Sequence, residues 1–353
     1  MTIRITWARA ILSLTGLAVA GLLFAWSGLF NVAASTGHWA VTDWFLHWTM
    51  RNSVRTHAAL SAPANPIADQ QLVSAAGHFA AACASCHGAP GRRPSPVMQA
   101  ETPHAPNLAV NAREWSDRQL FWILDHGVKY TGMPAWPARD RPDEIRRMVA
   151  FVRQLPTMDV ARYRSLVEEA AGAGTVGAKG IADGTLAGCT GCHGADGRGR
   201  GQPDIPVLGG QHPAYLLASL RSYATGRRHS AVMGNAAAAL RPEEMQALAS
   251  HFAAMPGIGA TTPAGSAAAR AIVERGLPEK QLPACASCHA PGKPWPVLSG
   301  QRASYIAQRL MQWRGEKEVV DARKSHATMP VIARRIPEDM IGPVAAYLAG
   351  TGR

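Results

Sequence analysis

Residues 188–199 read Gly-Cys-Thr-Gly-Cys-His-Gly-Ala-Asp-Gly-Arg-Gly, and the five residues from Cys189 to His193 decide how the rest of the chain is read. Two thiols stand one helical turn apart, and a histidine follows the second directly. The same C-x-x-C-H string recurs at Cys83, Cys86 and His87 and at Cys285, Cys288 and His289, which together use all six cysteines of the chain. A disulfide framework leaves a histidine after every pair unexplained. A cysteine zinc site calls for a second C-x-x-C or a histidine pair at set spacing, and a redox dithiol occurs once per domain in a βαβ context. Thiols that add covalently to the two vinyl groups of haem, with the adjacent histidine on the iron, account for every part of the string. Three covalently attached haem c groups are therefore expected.

Outward from these strings the chain repeats itself. Each is followed by a Pro-x-Leu step, at Pro106-Asn107-Leu108, Pro206-Val207-Leu208 and Pro296-Val297-Leu298. A methionine in a Gly- or Pro-containing loop comes next, at Met133, Met233 and Met329. A helix closes each unit, with proline near its first position and carboxylates in its first turn: Arg141-Pro142-Asp143-Glu144, Arg241-Pro242-Glu243-Glu244 and Ile336-Pro337-Glu338-Asp339. Proline loses no helical hydrogen bond there, and the negative charges complement the helix dipole. Phe151, Phe252 and Tyr347 are the ring residues these helices turn inward. The last two units are closest, since Pro-Val-Leu-Gly-Gly-Gln ending at Gln211 matches Pro-Val-Leu-Ser-Gly-Gln ending at Gln301, with Tyr215 and Tyr305 four residues on. The expected organisation is an N-terminal segment 1–57 followed by domains 66–158, 175–257 and 264–353. Stretches 170–180 and 256–264 connect them, the first preceded by a short helix around 163–169. Hydrophobic residues make up 47% and aromatics 7%, with 34 Gly and 25 Pro, which points to short helices separated by loops.

From Ala10 to Phe30 no charge interrupts an apolar run long enough to span a hydrocarbon core of about 30 Å. Arg4 and Arg9 precede it and the next basic residue is Arg51, so the positive-inside bias keeps the N-terminus cytoplasmic and exports the rest. The expected location is a bacterial inner membrane, single-pass, with the haem domains periplasmic. A cleaved signal peptide is the competing reading, with Val32-Ala33-Ala34 as its cleavage site, although the run exceeds the usual length of such a segment. Trp39, Trp44, Phe45 and Trp48 lie beyond the span. They either settle at the headgroup level or pack on the first unit.

On the 188–199 run and the Gly-Gly-Gln-x-x-x-Tyr run at 209–215, each unit resembles a class I cytochrome c domain, and residues 181–350 resemble diheme cytochromes of the c-four kind. The first unit, with Thr131-Gly132-Met133-Pro134-Ala135-Trp136, is similar to monohaem modules attached to membrane electron-transfer systems. The resemblance implies an all-α fold of three tandem domains after the transmembrane helix. It implies His87, His193 and His289 as proximal ligands and Met133, Met233 and Met329 as distal ones, with the carbonyls of Pro106, Pro206 and Pro296 holding the histidine rings. Met245, Met255, Met311 and Met340 read as packing residues. His104, His126, His212, His229 and His326 recur at no equivalent place in the three units. In the third unit Ala290-Pro291-Gly292-Lys293 replaces the Gly194-Ala195-Asp196-Gly197 of the second, which shortens the loop beside the haem edge.

The formal net charge is +12, with the surplus heaviest in the last unit, where Arg302, Arg309, Arg314, Lys317, Arg323, Lys324, Arg334 and Arg335 lie. Haem propionates would offset part of it. Such a surface either steers an acidic redox partner or is simply a solvated face. No nucleic-acid motif accompanies it, and no Gly-rich dinucleotide fingerprint occurs. The sequence thus reads as an electron carrier between a quinol-cytochrome c reductase and a terminal oxidase. The alternatives are the cytochrome subunit of a periplasmic dehydrogenase, or a peroxidase, against which a candidate methionine in every unit argues.

Overall fold

A computed structural model describes residues 6–67, 71–168, 180–259, 264–290, 292–315 and 328–350. Most of the 170–180 connection, 260–263 of the second one, and Arg4, Pro291, Lys317, Arg323, Lys324 and His326 lie outside the described residues. Among the described residues there is no β-strand, only the isolated bridges Ala89–Arg92 and Leu277–Leu282. The fold is all-α.

Helix α1 (Trp7–Trp26) opens on Thr6, whose hydroxyl accepts from the Arg9 amide. It ends at Ser27 and Gly28, four residues before the uncharged run does. Its 20 residues rise about 30 Å at the helical pitch. None is buried by the rest of the protein, and by length and composition alone the helix can cross a membrane. Helix α2 (Ala40–Ser61) divides in two. Val54 and Ala58 in its second half are buried, whereas Trp44 and Trp48 in its first half are 63% and 53% exposed and stack on each other. The aromatic cluster therefore does not pack on the first unit.

In the first unit α3 (Leu72–His78) runs through a π turn, Phe79–Cys83, into α4 (Ala84–His87), which ends the first motif. Helix α5 (Asp117–His126), started by a Ser116–Gln119 capping box, packs on α2, and α6 (Pro142–Gln154) packs on α3. Phe79 and Phe151 meet in this core with ring centroids 5.2 Å apart, and such a buried side chain contributes about 1.5–3 kcal/mol. Helix α7 (Val160–Val167) follows, where a short helix is expected.

The second unit is built from α8 (Asp183–His193), α9 (Pro213–Ala224), α10 (Ala231–Ala238) and α11 (Pro242–Ala253). The third holds α12 (Ala267–Arg275), α13 (Ala286–His289), α14 (Ala303–Arg314), α15 (Thr328–Arg335) and α16 (Ile341–Ala349). Here the helix leading to the motif is broken: Gly276, at φ 78°, ends α12 and a 3-10 turn intervenes before α13. The expected first turn at Pro337–Asp339 is likewise a 3-10 turn, with α16 starting only at Ile341. Phe151, Phe252 and Tyr347 are all buried, as the repeat predicts.

The units are not independent. The core around Phe79 and Phe151 also takes in Ile205 and Ala231 of the second unit. Between the second and third units Gln211 receives the Val297 N–H (3.0 Å) and donates to the Val297 carbonyl (3.1 Å). Gln301 does the same with Val207, at 2.9 and 3.0 Å. Each side-chain amide imitates a strand neighbour for the other unit's Pro-Val-Leu step, and Val207, Ile258 and Val297 pack beside them.

Candidate functional site

The second and third motifs open into one cavity of about 440 Å³. Cys189, Cys192, His193 and Met233 line it from the second unit, and Cys285, Cys288, His289 and Met329 from the third. Arg228, buried in the same wall, donates to the Tyr305 hydroxyl at 3.0 Å and reaches the Tyr215 hydroxyl at 3.5 Å. The two tyrosines that mark the repeat thus converge on one guanidinium. In the first unit Cys83 and Met133 pack against the same core.

The histidines are set by different partners. His87 and His289 hold Nδ1 at 2.8 Å from the carbonyls of Pro106 and Pro296, so Nδ1–H donates and Nε2 keeps its lone pair. Burial lowers the pKa of both imidazoles, and the proline carbonyls oppose it. In the second unit His193 is buried and its Nδ1 has no hydrogen-bond partner. Burial pushes it down to about 4, against a smaller opposing influence from the Pro206 carbonyl and Asp204. The expected proline bond has good geometry at His87 and His289, whereas at His193 the Pro206 carbonyl exerts only a weaker pull on a ring whose Nδ1 lacks a well-formed bond. Burial favours the neutral ring at all three, the form a ligand must take.

None of the six cysteines is in a disulfide. Burial pushes the Cys83 thiol up to about 12 and those of Cys189, Cys192 and Cys285 up to about 11. Among the described residues no group of three or more His, Cys, Asp or Glu is placed to hold a metal ion by itself. Paired thiols outside any disulfide, an adjacent imidazole and an apolar cavity with a buried guanidinium for a carboxylate fit haem c. The residues that would hold it are the cysteines of each string and the histidine that follows them.

The methionines differ in setting. Met133 lies in a loop, where its N–H donates to Thr131 Oγ1 (3.1 Å) and its carbonyl accepts from the Val128 N–H (3.1 Å). Met233 and Met329 lie in α10 and α15, not in the expected loops. Met233 is in the first turn of α10, where its N–H donates to the N-cap hydroxyl of Ser230 at 3.1 Å. Met245 is buried and Met255 and Met340 pack on cores, as expected, whereas Met311 is half-exposed.

The first unit touches the second motif directly. Helix α3 lies against α8 and α10, and a Cβ on Gly77 would stand 2.9 Å from Cys192 Sγ, so only glycine allows this approach. Gly191, between the two cysteines, similarly admits the Val167 carbonyl of α7. Ser74 donates to Asp204 at 2.6 Å, and Arg147 lies 3.6 Å from the same carboxylate. Sequence reading had no access to Gln211, Gln301, Arg228, Ser230 or Glu144 as site residues. The glutamines, the tyrosines and Glu144 left a trace as matching positions in the repeat, but nothing local told what they would touch.

This geometry defines a c-type cytochrome, an electron carrier with covalently bound haem c. Residues 70–152 match the family described as cytochrome c oxidase, cbb3-type, subunit III, and residues 180–255 match the cytochrome c family. The thiosulfate dehydrogenase electron acceptor of Stutzerimonas stutzeri is 35% identical over 47% of this chain and 79% of its own length. Cytochrome c4 of Thiocapsa roseopersicina is 32% identical over 46% of this chain and 86% of its own. The chain belongs to this family of c-type cytochromes. Among solved structures, Acidithiobacillus ferrooxidans cytochrome c4 matches at 32% identity over 46% of this chain and 98% of that one, with a TM-score of 0.40.

Proposed function

We propose that the chain is a membrane-anchored triheme cytochrome of the periplasmic face. Domains 66–158, 175–257 and 264–353 each hold one haem c, through Cys83, Cys86, His87 and Met133, through Cys189, Cys192, His193 and Met233, and through Cys285, Cys288, His289 and Met329. In this reading α1 is the single span and the N-terminus is cytoplasmic. Haem c supplies a one-electron iron centre, whose potential methionine opposite histidine raises. A raised potential suits a relay from a quinol-oxidising complex toward a terminal oxidase. The observation that carries the reading is contiguity. The first unit's α3, which leads into its motif, lies against Cys192, and the second and third motifs share one cavity, which supports a relay through packed protein. Basic residues of the third unit, among them Arg302, Arg309, Arg334 and Arg335, supply an electropositive end for an acidic redox partner.

A pyridine haemochrome count on the purified chain tests the first step, with three covalent haems per chain expected and two or fewer overturning it. Reduction by quinol in vesicles containing the reductase complex tests the second. A second reading, the cytochrome subunit of a periplasmic dehydrogenase, is favoured by the relatives named as thiosulfate dehydrogenase electron acceptors. Rapid reduction by a thiosulfate-oxidising dehydrogenase, with none by the quinol complex, would select it.

A further inference from the structure

The start of α6 belongs to the first unit, yet polar groups just before it and in its first turn bond to three consecutive residues of the second. Asp140 Oδ1 lies 2.9 Å from His229 Nδ1. Arg141 Nη1 donates to the His229 carbonyl at 3.0 Å. Glu144 accepts from the Ser230 hydroxyl at 2.6 Å through Oε1 and from the Ala231 N–H at 2.8 Å through Oε2. Glu144 is 6% exposed and is itself held by Arg141 Nη1 at 3.1 Å. A carboxylate this buried keeps its geometry, because both of its oxygens already accept from protein donors.

Ser230 is the N-cap of α10, and its oxygen accepts from the Met233 N–H. The path from Glu144 to Met233 is therefore two short hydrogen bonds through one hydroxyl. The first unit offers a contrast. There Thr131 Oγ1 receives the Met133 N–H, but the hydroxyl donates to Val128, a residue of its own unit, at 2.8 Å. In the second unit the corresponding hydroxyl is anchored outside the unit. Glu144 also receives the Trp136 indole N–H at a long 3.4 Å, and Trp136 closes the loop that carries Met133.

We propose that Glu144 is a positioning residue for Met233: the first unit, through Glu144 and the Ser230 hydroxyl, fixes the helix turn that presents the distal ligand of the second unit. The proposal rests on the reading of Met233 as that ligand. Its consequence is that docking of the first unit tunes the iron potential of the second, since a methionine held at the iron raises the potential and one allowed to drift lowers it.

The experiment uses the full-length holoprotein and reads two signatures that a purely structural contact would not move: the near-infrared methionine-to-iron charge-transfer band and the midpoint potential of each haem. Met233→Leu identifies the centre concerned by removing its share of the band. Glu144→Gln and Ser230→Ala are each expected to weaken the band and lower the potential of that same centre, the double variant adding little to either single one. Ser230→Thr, which keeps the capping oxygen, is expected to restore both, and serves if Glu144→Gln fails to accumulate. If Glu144→Gln and Ser230→Ala lower only the melting temperature while the centre keeps its band and potential, the positioning role is overturned and the ligand reading stands. If Met233→Leu changes no centre, the ligand reading falls and the positioning role falls with it.

Discussion

At Asp143 burial alone would raise the carboxyl, but the hydrogen bonds and charge of Arg141 and the charge of Arg147 outweigh it and hold the group at about 2. The bidentate Arg141 contacts are 2.8 and 2.9 Å, and Gln308 of the third unit donates to the same carboxylate at 3.0 Å. Because the folded value lies below the unfolded one of about 3.9, this stabilisation is complete above about pH 4 and is lost as pH falls from there toward 2. A shift of this size contributes on the order of 2 kcal/mol. Melting curves between pH 5 and pH 2 should therefore steepen in their fall below pH 4, and Asp143→Asn should be less stable at pH 6 but flatter across that range. An Asp143→Asn protein with the same acid limb as the parent would show that the carboxylate carries no such linkage. Sequence reading places Asp143 and Glu144 correctly in the first turn of a helix and assigns them to its dipole. What it misses is that both carboxylates face other units.

Helix α2 shows how one element can serve two surroundings. Its second half is held by buried Val54 and Ala58, by Arg51 pairing with Glu114 at 3.2 Å and lying over the Trp115 ring in the segment before α5, and by Arg118 of α5 donating to the Ala59 and Ala62 carbonyls. Its first half carries the stacked tryptophans into the open. Placing an unpaired charge in the buried half, as in Val54→Asp, should cost roughly 3 kcal/mol or more, because a buried carboxylate without a partner is heavily penalised. The expected result is protease cutting within 51–61 while all covalent haem is retained. Unchanged protection would mean that α2 is not held by this contact. The existence of α1, α6 and α11 was legible from the uncharged apolar run and from proline and acidic starts. The helical setting of Met233 and Met329 was not, because Gly234 and Pro330 beside them read locally as loop signals while a capped turn and packing decide for helix. The broken approach to the third motif was likewise hidden, since Gly276 and Pro278 mark a break only where the chain has another wall to follow.

Across the whole molecule the two reciprocal glutamines hold the second and third units in register. Gln211→Ala or Gln301→Ala strands a buried N–H and a carbonyl of the opposite unit, and each should destabilise by about 1–3 kcal/mol, with the pair non-additive. Chemical denaturation should then resolve the two units into separate transitions, and a single unshifted transition would count against the lock. By itself the sequence carried the haem-attachment strings and the repeat around them, because covalent attachment needs fixed residue types at fixed local spacing, and the all-α class followed from the family resemblance those strings carry. Tertiary structure alone decided how the repeats use the same words. Arg-x-x-Glu occurs at 141–144 and again at 241–244. In the second copy Glu244 accepts the N–H of its own Arg241 at 2.9 Å and caps its own helix. In the first, Glu144 leaves its helix to hold Ser230 and Ala231. The residues are the same, and the difference is which donors the packing of neighbouring units brings within about 3 Å of a carboxylate, a distance that no local pattern encodes.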